Sequence, residues 1–424
     1  MNRRAFLKSS LILASGAAVG CHTVPRRVSV NEKLNIGMIG TANQAAYDLS
    51  NVSSENIVAL CDVDDKLLDA ALVKHPGAKR YNDFRRLLEQ KDIDAVVIAI
   101  PDHSHAVAAV AALESGRDVY CEKPLARTIS EARIIAETAR RNKRITQIGT
   151  QIHAGNNYRR VVELVKSDAI GQVREVHVWV AATYGGKKLP TDKPPIPPGL
   201  NYDLWIGPAH YRPYSPEYVP FKWRNWWEFG GGALADFGCH YMDLPHWALD
   251  LRAPVSAEAE GPEVDPECPP PWMIVHYEYP ARDAAPPVKL TWYHGGKKPP
   301  FLTKDQAAKW GSGVLFIGSK GSLISDYSKH QLLPEAKFAG FVAPAPFIPN
   351  SIGHHKEWIQ ACKTRGTTTC NFDYSGPLTE AALLGNVAFR AGCKVNWDTR
   401  KMKALNCPAA DEYIHHHYRK GWSI

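Results

Sequence analysis

From Leu34 onward, short runs that are almost wholly apolar alternate with stretches whose apolar residues recur at helical spacing. The runs are LNIGMIG, NIVALCD ending in Asp62, IDAVVIAIP ending in Pro101, RDVYCEKP ending in Pro124, and RITQIGT. Between the third and fourth lies HAVAAVAALESG, with Gly116 placed as a C-cap. After the fourth comes TISEARIIAETARRNK, in which Thr128 and Glu131 are spaced for a capping box. Strands without polar alternation are buried on both faces, so this order predicts a parallel sheet with helices on each side. Right-handed crossovers align the strand ends on one carboxyl edge, where ligands bind. The expected class is α/β, with a doubly wound Rossmann domain over residues 33–155.

After Gly155 the pattern changes. NNYRRVVELVKSDAIG reads as a helix. VREVHVWVAATY then alternates, with Val176, Val178 and Val180 on one face, which predicts a half-buried antiparallel strand. WMIVHYEY, VKLTWYH, GVLFIG and GSLISDY are further strands, separated by Gly- and Pro-rich turns as in a meander. A chain of 424 residues exceeds one ordinary core, so residues 156–424 are expected to form a second α/β domain.

The net charge of +8 is mild and its basic residues are scattered, unlike the clustered basic face of a nucleic-acid binder. Residues 1–32 read as a signal and linker. MNRRAFLKSSLILASGAAVGC carries twin arginines, a short apolar run and small residues before Cys21, the pattern of a twin-arginine export signal. Its apolar run is too short to span a bilayer, which takes about 20 residues. The expected location is therefore periplasmic or exported, with the twin-arginine translocase as a transit partner. AVGC also resembles a lipid-attachment box, with Ala18 where leucine is usual, so a lipid anchor at Cys21 is a second expectation. The nine cysteines include no C-x-x-C pair, and Cys61 and Cys121 fall in strand-like runs as buried free thiols. Export of an already folded chain fits unpaired cysteines and lets a cofactor travel with it.

The candidate phosphate turn is Gly40, Thr41, Ala42 and Asn43. Ala42 and Ala45 stand where a G-x-G-x-x-G fingerprint has its second and third glycines, and Asn43 tolerates positive φ. The turn follows a strand, and Asp62 closes the next strand 22 positions after Gly40. An acid there can accept hydrogen bonds from the adenosine ribose. Asp64 and Asp65 follow with no arginine near them in the chain, which favours NAD over NADP.

In the second domain, 13 of the chain's 41 aromatics fall between Tyr202 and Trp247, about three times an even share. Such a cluster is either a packed irregular segment or a wall on which a sugar ring stacks. Trp223, Trp226 and Trp227 are the candidates for the wall. In GGGALADFGCHYMDLPHWAL, a mainly helical course from Leu234 to Leu249 would put Asp236, His240 and Asp243 on one face. That set admits a capped surface stripe, a metal site lacking further ligands, or a histidine base held by an acid. Beside Glu122–Lys123–Pro124 the third is favoured. His415–His417 and the pair His354–His355 are read as terminal or loop features, not metal ligands.

AVVIAIPDHSHA followed by CEKPLA resembles the Gfo/Idh/MocA family, and the likeness continues through GALADFGCHYMD and VLFIGSKGSL to HHKEWIQACK and FDYSGPLTEAALLGNVAFRAG. The resemblance implies a nicotinamide-binding domain and an α/β domain with a large, mostly antiparallel open sheet. It also implies sugar or polyol substrates and a homodimer or homotetramer joined through that sheet. The family's cofactor contacts would fall on Gly40, Asn43, Asp62, Pro101, His105, Glu122 and Gln151, with Lys123 shared between cofactor and substrate.

Oxidising a secondary alcohol needs a hydride acceptor, here NAD, and a base for the hydroxyl proton. His240 is the expected base. Lys123, as a charged ammonium, would donate to the substrate oxygen and stabilise developing alkoxide. Asp236 would orient His240 or bind a second hydroxyl. An exported enzyme has no ready NAD supply, so its cofactor should be tightly held and regenerated in place. The leading expectation is an NAD-dependent oxidoreductase of a sugar, polyol or glycoside hydroxyl. The alternatives are a redox-neutral, NAD-dependent glycoside hydrolase or lyase, and a non-catalytic sugar-binding lipoprotein.

Overall fold

The computed structural model describes residues 29–424. The twin-arginine segment and Cys21 lie outside the described residues.

The first domain is a six-stranded parallel sheet in the order β3-β2-β1-β4-β5-β6. The strands are β1 (Asn35–Ile39), β2 (Asn56–Cys61), β3 (Lys79–Tyr81), β4 (Ala95–Ile98), β5 (Asp118–Cys121) and β6 (Thr146–Ile148). β1 and β4 are neighbours although β2 and β3 intervene in the chain, so the strand order reverses between them. That switch point is where the carboxyl edge opens a crevice. Helices α1 (Gln44–Val52), α2 (Asp65–Lys74), α3 (His105–Glu114) and α4 (Ile129–Arg141) are the crossovers. The Thr128–Glu131 capping box closes the start of α4 as expected. Gly116 takes a positive φ of 86° just past α3.

The second domain is a nine-stranded sheet in the order β13-β12-β11-β7-β10-β9-β8-β14-β15. β7 (Val173–Trp179), β9 (Met273–Tyr279), β10 (Val288–His294), β11 (Gly313–Gly318) and β12 (Gly321–Ser325) match the alternating stretches of the sequence. β8 (Ser256–Glu260), β13 (His330–Leu333), β14 (Val395–Asp398) and β15 (Lys403–Ala404) are short and lack that signal. Val176, Val178 and Val180 are buried together, but β7 is antiparallel only to β11 and runs parallel to β10. One core joins the sheet to α5 (Asn156–Lys166), α6 (Gly232–Tyr241), α7 (Asp243–Ala248) and the long α9 (Phe372–Ala391).

The division at residue 155 separates the sheets but not the helices. Helix α8 (His354–Thr364) returns to the first domain, where Trp358, Ile359 and Cys362 share a core with Leu34, Ile36 and Met38. A parallel sheet needs both faces covered, and α8 supplies cover that its own crossovers leave open. His354 and His355 are therefore not loop residues: they are buried in the first turn of α8, bonded to Ile148 O (2.7 Å) and Asp48 Oδ1 (2.9 Å). The cysteine expectation is also corrected in one place, because Cys393 and Cys407 form a disulfide. Cys61 and Cys121 are buried free thiols as expected. Among the described residues no helix is long and apolar enough to cross a membrane.

Candidate active site

A cavity of about 370 Å³ runs from the turn after β1 into the second domain. Its nucleotide end is built at the carboxyl edge. Gly40 has φ 95°, and a Cβ there would stand 2.2 Å from Ala99 O, so the β1 turn passes too close to β4 for any side chain. Asn43 takes φ 54° and caps α1 without a side-chain bond, while Ala45 N and Ala46 N donate to Ala42 O (3.0 Å) and Asn43 O (3.1 Å) and close the turn on itself. Thr41 donates from both N and Oγ1 to Asp62 Oδ2 (3.0 and 2.8 Å), and Asp64 N donates to Oδ1 (3.1 Å). Asp62 thus braces the phosphate turn and still offers lone pairs to a ribose. Burial raises its pKa from the ordinary value. Gly40, Thr41, Ala42, Asn43, Asp62 and Pro101 all line this end, with Asn82, Asp83 and Phe84 beyond them. Arginines do reach the neighbourhood, contrary to the chain-local reading. Arg80 pairs with Asp65 and Asp69, and Arg85 with Asp83 (2.7 Å), so both are already neutralised.

Glu122 and Lys123 follow β5 into the middle of the cavity, and the Lys123–Pro124 peptide is cis. Glu122 Oε1 accepts from Gln151 Nε2 (2.6 Å) and Gln44 Nε2 (3.2 Å). Gly149 makes the room, since a Cβ there would lie 2.2 Å from Oε1. Burial, reinforced by Asp48, pushes Glu122 up to about 8. Gln151 stands behind Glu122 and does not line the cavity. Nor does His105: its ring nitrogens meet Pro124 O (2.8 Å) and Ile100 O (2.7 Å), so it braces the wall from behind.

The substrate end is a buried charge cluster. Lys123 Nζ pairs with the Asp236 carboxylate and donates to Asp236 O at 3.1 Å. Arg224 Nε donates to Asp236 Oδ1 at 3.2 Å. Burial opposes ionisation of Asp236, but Lys123 and Arg224 outweigh it and hold the carboxyl well below its usual range. Asp102 lines the same end, and burial outweighs nearby Arg224 to push it up to about 8. Tyr184 completes this wall. Sequence reasoning missed Asp102, Tyr184 and Arg224. Asp102 follows Pro101 at a strand end and Arg224 follows Trp223, so both lay beside flagged positions; Tyr184 carried no signal.

His240 sits one turn beyond Asp236 but does not line the cavity. Neither flanking acid holds its ring. Asp236 is engaged by Lys123 and Arg224, and Asp243 by His153 (2.9 Å) and Tyr374 (2.7 Å). The helix breaks at Met242, which turns Asp243 onto a separate buried cluster. His240 Nδ1 is buried without a partner, and burial lowers the imidazole to about 3. Of the three tryptophans, Trp223 lines the cavity beneath Arg224, whose Cζ lies 4.0 Å from the ring centroid. Trp226 and Trp227 are core instead, their indoles donating to Glu217 O (2.8 Å) and Asp265 O (3.1 Å).

Two models of one oxidoreductase family match the chain. The NAD-binding Rossmann fold matches residues 34–150, and the C-terminal alpha/beta domain matches residues 156–287. The chain belongs to the Gfo/Idh/MocA oxidoreductase family. Its first domain is accordingly an NAD-binding Rossmann domain, and the glycine turn and braced acid fit that cofactor. An inositol 2-dehydrogenase of Salmonella typhimurium is 35% identical over 164 residues, 38% of this chain and 48% of that protein. A glycosyl hydrolase family 109 protein of Shewanella pealeana is 24% identical over 204 residues, 41% of this chain and 44% of that protein. The chain thus spans about half the length of the curated relatives it matches. The WlbA dehydrogenase of Bordetella pertussis, solved with NADH and UDP-GlcNAcA, shares the fold at a TM-score of 0.60. That likeness holds at 18% identity over 87% of this chain and 99% of that one.

Proposed function

We propose that this family member is an NAD-dependent oxidoreductase acting on a secondary hydroxyl of a sugar, polyol or glycoside, with its cofactor held between turnovers. The observation that carries the reading is that Lys123 joins an NAD-type carboxyl edge to a buried charge cluster in one cavity. When bound there, NAD supplies the hydride acceptor. Lys123 donates to the substrate oxygen, and Asp236, kept ionised, holds the ammonium in place. Arg224 offers donors to neighbouring hydroxyls. Two groups are candidates for the proton. His240 is neutral with a buried Nδ1 that has no partner, whereas Asp102 faces the cavity with a proton affinity near the working pH and accepts in its ionised form. The twin arginines support export, and export calls for a retained cofactor. The family's substrate-domain sheet supports assembly into a homodimer or homotetramer.

The similarity to a family 109 glycosyl hydrolase favours a second reading, in which the same residues oxidise a glycoside transiently, eliminate the leaving group and return the hydride. Incubating holoenzyme with polyols and glycosides, without added cofactor, separates the two. A keto product with bound NADH marks the oxidoreductase, and free sugar without net redox change marks the hydrolase. Protein that neither releases nor binds a nicotinamide nucleotide overturns both.

A further inference from the structure

The stretch from His415 to Ile424 leaves the second domain at Ile414, a buried member of its core, and returns to the first. It is anchored at successive points. The His416 ring meets the Arg127 guanidinium and approaches Pro208 O at 3.3 Å. Tyr418 OH donates to Glu131 Oε1 at 2.8 Å. Arg419 donates to Gly207 O (3.0 Å) and Asp203 O (2.9 Å), and its amide to Pro208 O (3.0 Å). A turn then bonds Trp422 N to Arg419 O at 3.1 Å. An irregular segment is ordered only where such contacts offset the entropy cost of fixing each residue. These anchors deliver one large side chain to the cavity: Trp422 lines it together with Leu67, Asn82, Asp83 and Phe84. Its ring lies 6.1 Å from that of Phe84, and Arg85 Cζ sits 4.6 Å from its centroid.

That position has a chemical meaning. The Gly40 turn takes the pyrophosphate and Asp62 the adenosine ribose, so the space beyond Asp62 is left for the adenine. A purine is a flat aromatic group that stacks on indole. We propose that residues 415–424 are a strap closing the nucleotide end of the cavity, and that Trp422 holds the adenine of NAD. The proposal rests on the NAD reading of the cavity and deepens it. It names the residue that slows cofactor release.

The test compares holoenzyme with Trp422→Ala and Trp422→Phe by the rate of NAD release on dilution. Nucleotide-free protein is also titrated with AMP and with nicotinamide mononucleotide. Loss of one stacking partner should speed NAD release and weaken AMP about tenfold in Trp422→Ala. Nicotinamide mononucleotide affinity and the melting temperature of nucleotide-free protein should stay at wild-type values. Trp422→Phe should keep most of the AMP affinity. Unchanged AMP affinity in Trp422→Ala overturns the proposal, as does an equal loss for both fragments, which would mean that the strap only clamps the domains. Wild-type protein that binds neither fragment overturns the cofactor reading and this inference with it.

Discussion

The two ends of the cavity share Glu122 and Lys123 but are built in opposite ways. The nucleotide end takes its residues from successive strand ends of one parallel sheet: Gly40 to Asn43 after β1, Asp62 after β2, Asn82 to Phe84 after β3 and Pro101 after β4. Its requirement is close backbone approach, and its one central acid accepts from local donors. The substrate end gathers Asp102, Lys123, Tyr184, Arg224 and Asp236 from both domains around a desolvated ion pair. A nucleotide site of this kind follows from topology, while a charge cluster follows from where distant segments meet.

The sharpest way to break that contrast is at Lys123. Lys123→Ala should lower turnover about a thousandfold or more while leaving NAD affinity within a few-fold. Unchanged turnover in steady-state assays would remove it from the mechanism. Gly40→Ala tests the other end: a Cβ 2.2 Å from Ala99 O must displace the turn, so NAD affinity should fall at least tenfold, read by fluorescence titration. Turnover at saturating NAD should suffer less than in Lys123→Ala.

Asp236→Ala leaves Lys123 and Arg224 facing each other without an anion. It should cost about 3 kcal/mol in denaturant unfolding. Because the folded pKa of Asp236 is depressed, its contribution is fully present above the ordinary carboxylate range and lost as pH falls through the folded value. Asp236→Asn should therefore flatten the acid limb of the stability curve; an unaltered limb would contradict the pairing. Asp102 has the opposite sign. Folded protein keeps its proton up to about 8 while the unfolded chain releases it near 4, so stability falls as pH rises between them. Asp102→Asn should melt increasingly above wild type from pH 5 to pH 8, and a constant offset would refute the shift. The same variant, set beside His240→Gln, decides the proton's destination, since only the true acid–base group should move the pH–rate profile. The smallest effect belongs to Trp226→Phe, a core substitution expected to change kcat/KM less than twofold; a large loss would return that indole to the substrate wall.

Much of the first domain was legible along the chain. β1, β2, β4 and β5 are largely apolar runs with site residues at their ends, so period and position agree, but β3, the three residues KRY, is largely exposed, has no apolar run and was not read. The second domain was legible only where strands alternate. β8, β14 and β15 were not, because short strands at or near a sheet edge carry too few residues to show a period. The buried partners of His240 were misjudged for a related reason. Helical spacing places Asp236, His240 and Asp243 on one face, but a break at Met242 and stronger partners elsewhere redirect both acids.

What the sequence determined by itself was the carboxyl edge and the residues that stand on it, since local hydrophobic period sets strand ends and strand ends set that edge. Only the tertiary structure decided which charges face Lys123, that His105 and Gln151 brace the wall from behind, that α8 completes the first domain, and that Trp422 reaches the far end of the cavity. The contacts of α8 and Trp422 join positions hundreds of residues apart, and the others join separate elements. Burial and charge compensation in three dimensions select such contacts, and no spacing along the chain encodes them.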